Sequence, residues 1–329
     1  MLAIVCPGQG SQTPAMLAPW LELPGVSDQL ASFSTDGLDL RALGTEADAD
    51  AIRDTRVAQP LIVASSIIAL RAVLDGRDAA DVVDVTAGHS VGELAAAAVA
   101  GVLDDASAVA LVTRRAAVMA EAAAANPSGM SAVLGGDPDE VLAAIEAAGL
   151  WPANVNGGGQ VVAAGSLDGL AAFAANPPAK ARVIALKVAG AFHTPLMESA
   201  RAAFAEVTAG WSAADPRATF LSNADGASYT TIADDASLPF GSGRDVLDRL
   251  TAQITAPVRW DLCQESLAAA GVTGLLELMP GGVLTGLARR ALPGVETVAV
   301  KSPADLDAAR DLVARHSGTI PLPTAEDAQ

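Results

Sequence analysis

Short, unbroken apolar runs alternate along this chain with longer stretches of helical spacing. Leu2 to Cys6 is apolar throughout and is closed by Pro7 and Gly8, which predicts a buried strand. The loop Gly8 to Gln12 and a region rich in Asp, Ser and Gly follow. Gln59 to Leu74 has the apolar density of a buried helix, opened by Pro60. Val82 to Ala87 predicts a second short strand, and Gly88-His89-Ser90-Val91-Gly92 turns sharply out of it. A helix then spans Val91 to Ala100 with Gly101 as terminator, and a longer one spans Asp104 to Ala125 with two aspartates at its positive end.

The rhythm changes after Asn126-Pro127-Ser128-Gly129. Strand Met130–Leu134, helix Pro138–Ala148, strands Trp151–Asn156 and Gln160–Ala164, helix Leu167–Ala175 and strand Arg182–Val188 give the order β-α-β-β-α-β. That order is ferredoxin-like. Beyond Gly190 the alternation resumes: helix Thr194–Thr208, strand Ala218–Ser222, helix Arg244–Ile254, a helix over Pro257–Ala269, strand Gly274–Leu278 and helix Val283–Arg290. Strands alternating with helices predict an α/β fold whose large domain holds a mostly parallel sheet. The expected division is 1–127 and 191–329 for the large domain, 128–190 for the inserted one, with a frayed tail after about 321.

Composition narrows the function. The 329 residues are 51% hydrophobic but only 3% aromatic, so the core must be aliphatic and alanine-rich. A formal net charge of −18 repels nucleic-acid phosphates. Lysine is confined to Lys180, Lys187 and Lys301, so anion recognition falls to arginine. Cys6 and Cys263 are expected to stay reduced. No basic leader precedes the first apolar run, and no stretch is expected to reach the roughly 20 apolar residues of a membrane span. The expectation is a soluble cytoplasmic protein with neither a nucleic-acid nor a membrane partner.

Candidate chemistry centres on Gly88-His89-Ser90-Val91-Gly92. It fits G-x-S-x-G between a strand and a helix, the context of a nucleophile elbow. Such a turn exposes the Ser90 hydroxyl and aims the Val91 N–H at a developing oxyanion. Serine needs a base, and the chain has three histidines. His89 adjoins Ser90 and is expected to point away; His316 is near the C-terminus; His193 lies at a domain junction, where pockets form. His193 is therefore the expected base. The loop Gly8 to Gln12 lacks the third glycine of G-x-G-x-x-G and a P-loop lysine, and no His or Cys cluster has metal-ligand spacing.

Together with Pro7-Gly8-Gln9-Gly10-Ser11-Gln12, Thr113-Arg114-Arg115, Asn156, Phe192-His193-Thr194-Pro195 and Gln253 followed by Pro257-Val258-Arg259-Trp260, these segments make the chain resemble the malonyl-CoA:acyl carrier protein transacylase family nearly end to end. The resemblance implies an α/β-hydrolase-like large domain with a ferredoxin-like insertion. It implies ping-pong transfer of malonyl from malonyl-CoA to the phosphopantetheine thiol of acyl carrier protein, feeding fatty acid or, alternatively, polyketide assembly. Ser90 would be nucleophile and His193 base, with the N–H groups of Gln9 and Val91 as oxyanion hole. Arg115 would hold the malonyl carboxylate, and the Gln253 carbonyl would orient His193. His89, Asn156 and Phe192 would support the site, Phe192 by filling the space an α-methyl group would take. A monomer with no resident cofactor or metal is expected.

Arg115 shares a helix face with Val112 and Met119, whereas Arg114 lies about 100° round the helix. Ala116 stands where the family often has glycine, which leaves open which arginine is the clamp. A serine hydrolase or thioesterase would use the same Ser90 and His193, with an acid such as Glu121 or Asp168 between them in the chain. A non-catalytic carrier-protein scaffold is the third reading. Lys180, Arg182, Lys187, Arg289 and Arg290 are candidates for meeting an acidic carrier.

Overall fold

The computed structural model describes residues 1–35, 37–232 and 240–318. In chain order the elements are β1 (Leu2–Cys6), α1 (Val26–Phe33), α2 (Leu40–Thr45), α3 (Thr55–Leu74), β2 (Val85–Gly88), α4 (Gly92–Val99) and α5 (Asp105–Ala125). Next come β3 (Gly129–Gly135), α6 (Pro138–Ala147), β4 (Trp151–Gly157), β5 (Gln160–Gly165), α7 (Leu167–Ala175) and β6 (Ala181–Ala185). The last part holds α8 (Glu198–Ala209), β7 (Thr219–Leu221), α9 (Tyr229–Ile232), α10 (Gly243–Ala252), β8 (Val258–Arg259), α11 (Trp260–Ala269), β9 (Gly274–Glu277), α12 (Val283–Ala291), β10 (Glu296–Ala299) and α13 (Leu306–His316).

One sheet has the order β10-β9-β1-β2-β7, with every pairing parallel. All five residues of β1 are buried, because a parallel sheet must be covered on both faces. Side chains alternate across it: Leu2 and Ile4 join the core under α3, α4 and α5, while Ala3 and Val5 join the core with residues of α11 and α12. The second sheet has the order β6-β3-β5-β4-β8. Its first four strands are antiparallel in the ferredoxin-like arrangement.

Several sequence expectations are corrected. The helix expected from Gln59 starts at Thr55, because the Asp54 carboxylate caps it by accepting from Arg56 N–H; Pro60 lies inside. This helix also has the length and composition of a membrane span, contrary to the expectation that none does, yet 83% of its apolar window is buried within the protein. It is a core helix. The segment Thr194–Thr208 divides into a 3-10 turn over Pro195–Met197 and then α8. The strand expected to reach Val188 ends at Ala185, and Leu186 to Val188 line a cleft. The helix expected from Pro257 starts at Trp260, since Val258 and Arg259 pair in parallel with Asn154 and Val155 of β4. β8 thus belongs to the small sheet although it lies outside 128–190.

Sequence reading gave no element to β10 or α13. His316 closes α13, where its ring meets Thr273 Oγ1 at 2.9 Å and Glu296 Oε2 at 3.0 Å. The tail beyond 321 lies outside the described residues. Cys6 and Cys263 are free and buried, and burial pushes both thiols far above their usual range.

Candidate active site

The turn after β2 is shaped by glycine on both sides of Ser90. A Cβ on Gly88 would sit 2.0 Å from the Gly92 carbonyl carbon, and one on Gly92 would sit 2.2 Å from the Cys6 carbonyl oxygen. The elbow therefore packs on itself and on β1 more closely than any side chain permits. Ser90 takes a φ of 54°, a left-handed conformation that a non-glycine residue holds only when its surroundings impose it. Asn223, just beyond β7, does so. Its Oδ1 accepts from Ser90 N–H at 2.8 Å, and its Nδ2 donates to the Gly88 carbonyl at 2.7 Å. β7 ends at Leu221, opposite Ala87, so this carboxamide continues the sheet ladder where the main chain has stopped.

His193 reaches Ser90 from the far end of the small domain. Its Nε2 lies 2.7 Å from Ser90 Oγ, and its Nδ1 lies 2.8 Å from the Gln253 carbonyl oxygen. A carbonyl can only accept, so Nδ1 carries the proton and Nε2 is left to accept from the serine hydroxyl. Burial, reinforced by the nearby Arg115 charge, lowers the His193 pKa from 6.5 to about 3. The imidazole is neutral at pH 7, as a general base must be. His89 is the wrong partner: its Nε2 donates to Asn156 Oδ1 at 2.8 Å, and Asn156 Nδ2 donates in turn to Gln160. Burial lowers the His89 pKa as well.

The two candidate arginines differ in burial. Arg114 is exposed, whereas Arg115 has no accessible surface. Arg115 Nη1 donates to Gln59 Oε1 at 2.7 Å and Nη2 to Gln253 Oε1 at 2.6 Å. Its Nε has no partner among the described residues. Burial lowers its pKa to about 10, with Glu93 opposing the shift, so it stays charged at pH 7. A buried cation whose acceptors among the described residues are two neutral carboxamide oxygens is costly unless a further partner completes it.

Glu93, in the first turn of α4, is also buried. One carboxyl oxygen accepts from Asn223 N–H at 2.8 Å and the other from Gln253 Nε2. Gln253 Nε2 donates also to the Ser90 carbonyl at 3.1 Å. Burial raises the Glu93 pKa from 4.5 to about 8, against the pull of those hydrogen bonds and of Arg115.

Ser90, His193, Phe192, Gln59, Asn156 and Gln9 line a cleft of about 580 Å³ between the two sheets. Arg115 lies behind this wall, in contact with Gln59. Among the described residues, the amides of Gln9 and Val91 donate to no acceptor. The five candidate docking cations are all exposed, and Lys187 borders the cleft. Glu121 instead pairs with Arg56 at 3.8 Å, and Asp168 is exposed on α7, so neither acid orients His193.

Of the residues singled out from the sequence, the structure brings Ser90, His193, His89, Asn156, Phe192 and Gln9 to one cleft, with Arg115 and Gln253 hydrogen-bonded to each other behind it. Sequence reasoning missed the roles of Gln59, Glu93 and Asn223. Glu93 carried a readable sign, an acid in the first turn after the elbow with apolar residues following it. Neutral Gln59 and Asn223 carried none.

Residues 3–242 match the acyl transferase domain family. A malonyl CoA-acyl carrier protein transacylase of Mycobacterium tuberculosis is 52% identical over 313 residues, covering 93% of this chain and 98% of that protein. The crystal structure of MCAT from Mycobacterium tuberculosis superposes with a TM-score of 0.85 at 52% identity, covering 94% of this chain and 99% of the other. A malonyl-transacylase solved with a type II PKS acyl-carrier protein gives 0.82 at 31% identity, again covering 94% and 99%. With these matches, and with the elbow and the neutral imidazole in one cleft and a buried guanidinium behind its wall, this chain belongs to the malonyl-CoA:acyl carrier protein transacylase family.

Proposed function

We propose that this protein transfers a malonyl group from malonyl-CoA to the thiol of an acyl carrier protein through an ester on Ser90. The observation that carries the reading is Ser90 Oγ lying 2.7 Å from a neutral His193 Nε2, with a buried guanidinium close behind that, among the described residues, forms no hydrogen bond to a carboxylate. His193 Nε2 takes the Ser90 proton as Oγ attacks the thioester carbon. The oxyanion accepts from the Gln9 and Val91 amides, each such donor worth roughly 3–4 kcal/mol. As the carbon–sulfur bond breaks, His193 returns the proton to the departing coenzyme A sulfur. The carrier thiol then gives its proton to His193 and attacks the ester; the carbon–oxygen bond breaks and Ser90 is reprotonated. All proton movements use this chain's own groups, with no resident cofactor.

The Gln253 carbonyl does the work of a triad acid, holding the tautomer without contributing charge. The malonyl carboxylate replaces Gln59 Oε1 on Arg115 Nη1, so Gln59 moves aside when the acyl group enters. Acetyl-CoA offers no anion for that exchange, and its transfer leaves the guanidinium short of a partner. The same reading assigns the protein to the cytoplasm, as a monomer meeting carrier protein transiently.

Intact-protein mass measurement after mixing with malonyl-CoA tests the proposal. One malonyl adduct is expected, absent in Ser90→Ala and discharged by carrier thiol faster than by water. Discharge by water alone would make the protein a hydrolase, and no adduct would end the proposal.

A further inference from the structure

The Gln253 carboxamide sits between two groups of opposite hydrogen-bonding character. Arg115 Nη2 can only donate, and it meets Gln253 Oε1 at 2.6 Å. On the other side, Nε2 donates to Glu93 Oε2 and to the Ser90 carbonyl. Reversing the carboxamide would set N–H against N–H at Arg115 and, above about pH 8 where Glu93 is ionised, oxygen against oxygen at Glu93. Glu93 is itself fixed, because its other oxygen accepts from Asn223 N–H, and the Asn223 carbonyl accepts from Arg259 N–H at 2.8 Å. Glu93 is 2% exposed and does not border the cleft, so substrate does not reach it.

We propose that Glu93 is a positioning residue: by accepting from Gln253 Nε2 it holds the carboxamide oxygen toward Arg115, and so sets recognition of the acyl carboxylate from a place substrate never touches. The histidine is served by the main-chain carbonyl of Gln253, which carboxamide reversal leaves in place. The effect therefore falls on carboxylate recognition more than on Ser90 reactivity. This rests on the reading of Arg115 as the carboxylate partner.

Glu93→Gln is the informative change, assayed above about pH 8, where the native Glu93 is ionised and can only accept. Its size is matched, but its amide cannot accept from both Asn223 and Gln253, and the partner it presents to Gln253 favours the reversed carboxamide. The KM for malonyl-CoA is expected to rise about ten- to hundredfold, the weight of a buried hydrogen bond to a charged group. Labelling of Ser90 by a neutral fluorophosphonate should fall several-fold less. Glu93→Asp, smaller but still acceptor-only when ionised, should keep more malonyl-over-acetyl preference than Glu93→Gln. Equal losses in both assays, no loss in either, or better retention by Gln than by Asp would overturn the proposal. Should Glu93→Gln not be recovered folded, Glu93→Ala replaces it; a malonyl-selective loss is expected, and an unselective one overturns the idea. Arg115→Ala is measured alongside. If it leaves malonyl preference intact, the reading of Arg115 fails; if it abolishes preference while the Glu93 variants keep it, only the role of Glu93 fails.

Discussion

At the Ser90 end of the site, reacting groups are held largely by main chain; at the Arg115 end they are held by side chains. Gly88 and Gly92 shape the elbow, a backbone carbonyl accepts from His193, and the proposed oxyanion donors are backbone amides. Arg115, by contrast, rests on the side chains of Gln59 and Gln253, with Glu93 behind them. A backbone scaffold survives most substitutions and is lost as a whole when it fails. A side-chain relay can be retuned one residue at a time. On the proposed reading, the chemistry of acyl transfer is thus fixed by the fold, while the choice of acyl group is written in exchangeable residues.

The sharpest test of that contrast is Ser90→Ala, which should abolish the malonyl adduct while leaving a folded protein; an adduct elsewhere would mean the elbow is not the reacting centre. Arg115→Ala should keep acyl-enzyme formation with acetyl-CoA but erase a malonyl preference of up to about 10⁴-fold, read as the ratio of kcat/KM values. Asn223→Ala probes a side chain on which the backbone end depends. It strands Ser90 N–H and the Gly88 carbonyl, each at a cost of about 1–3 kcal/mol, seen as a lower denaturation midpoint.

Two pH effects complete the series. With the His193 pKa lowered to about 3, pre-steady-state acylation should stay level from pH 8 down to pH 5. A decline centred near 6.5 would contradict the buried, neutral imidazole. The smallest expected effect concerns Glu93. Its folded pKa of about 8 exceeds the ordinary 4.5, so the folded protein keeps a proton that the unfolded chain releases in that window. The stability it contributes is full below 4.5 and is lost as pH rises through about 8. Glu93→Gln should flatten that part of the Tm profile.

The same division explains what was legible in the sequence. The elbow is a local object, a glycine pattern between an apolar run and a helix, and it could be read directly. The apolar helix face of Arg115 could be read from Val112 and Met119, whereas its part in the site came only from the family resemblance. Gln59 and Asn223 could not, since a carboxamide becomes part of the site only through partners 56 and 133 positions away in the chain. The small sheet was legible from its β-α-β-β-α-β rhythm, but β8 was not. Two residues have no periodicity, and Val258 and Arg259 form a strand only because β4 offers them an edge. β10 and α13 also went unread, although the α13 face of Leu306, Ala309, Leu312 and Val313 packs into the main core.

That two-residue strand has a bearing on biogenesis. As the polypeptide emerges from the ribosome, residues 129–185 can pair among themselves, yet the outer edge of β4 stays open until residue 259 is available. An uncovered strand edge is a template for pairing with another molecule. Nascent chains stalled before that point should therefore associate with one another more readily than those released just after it.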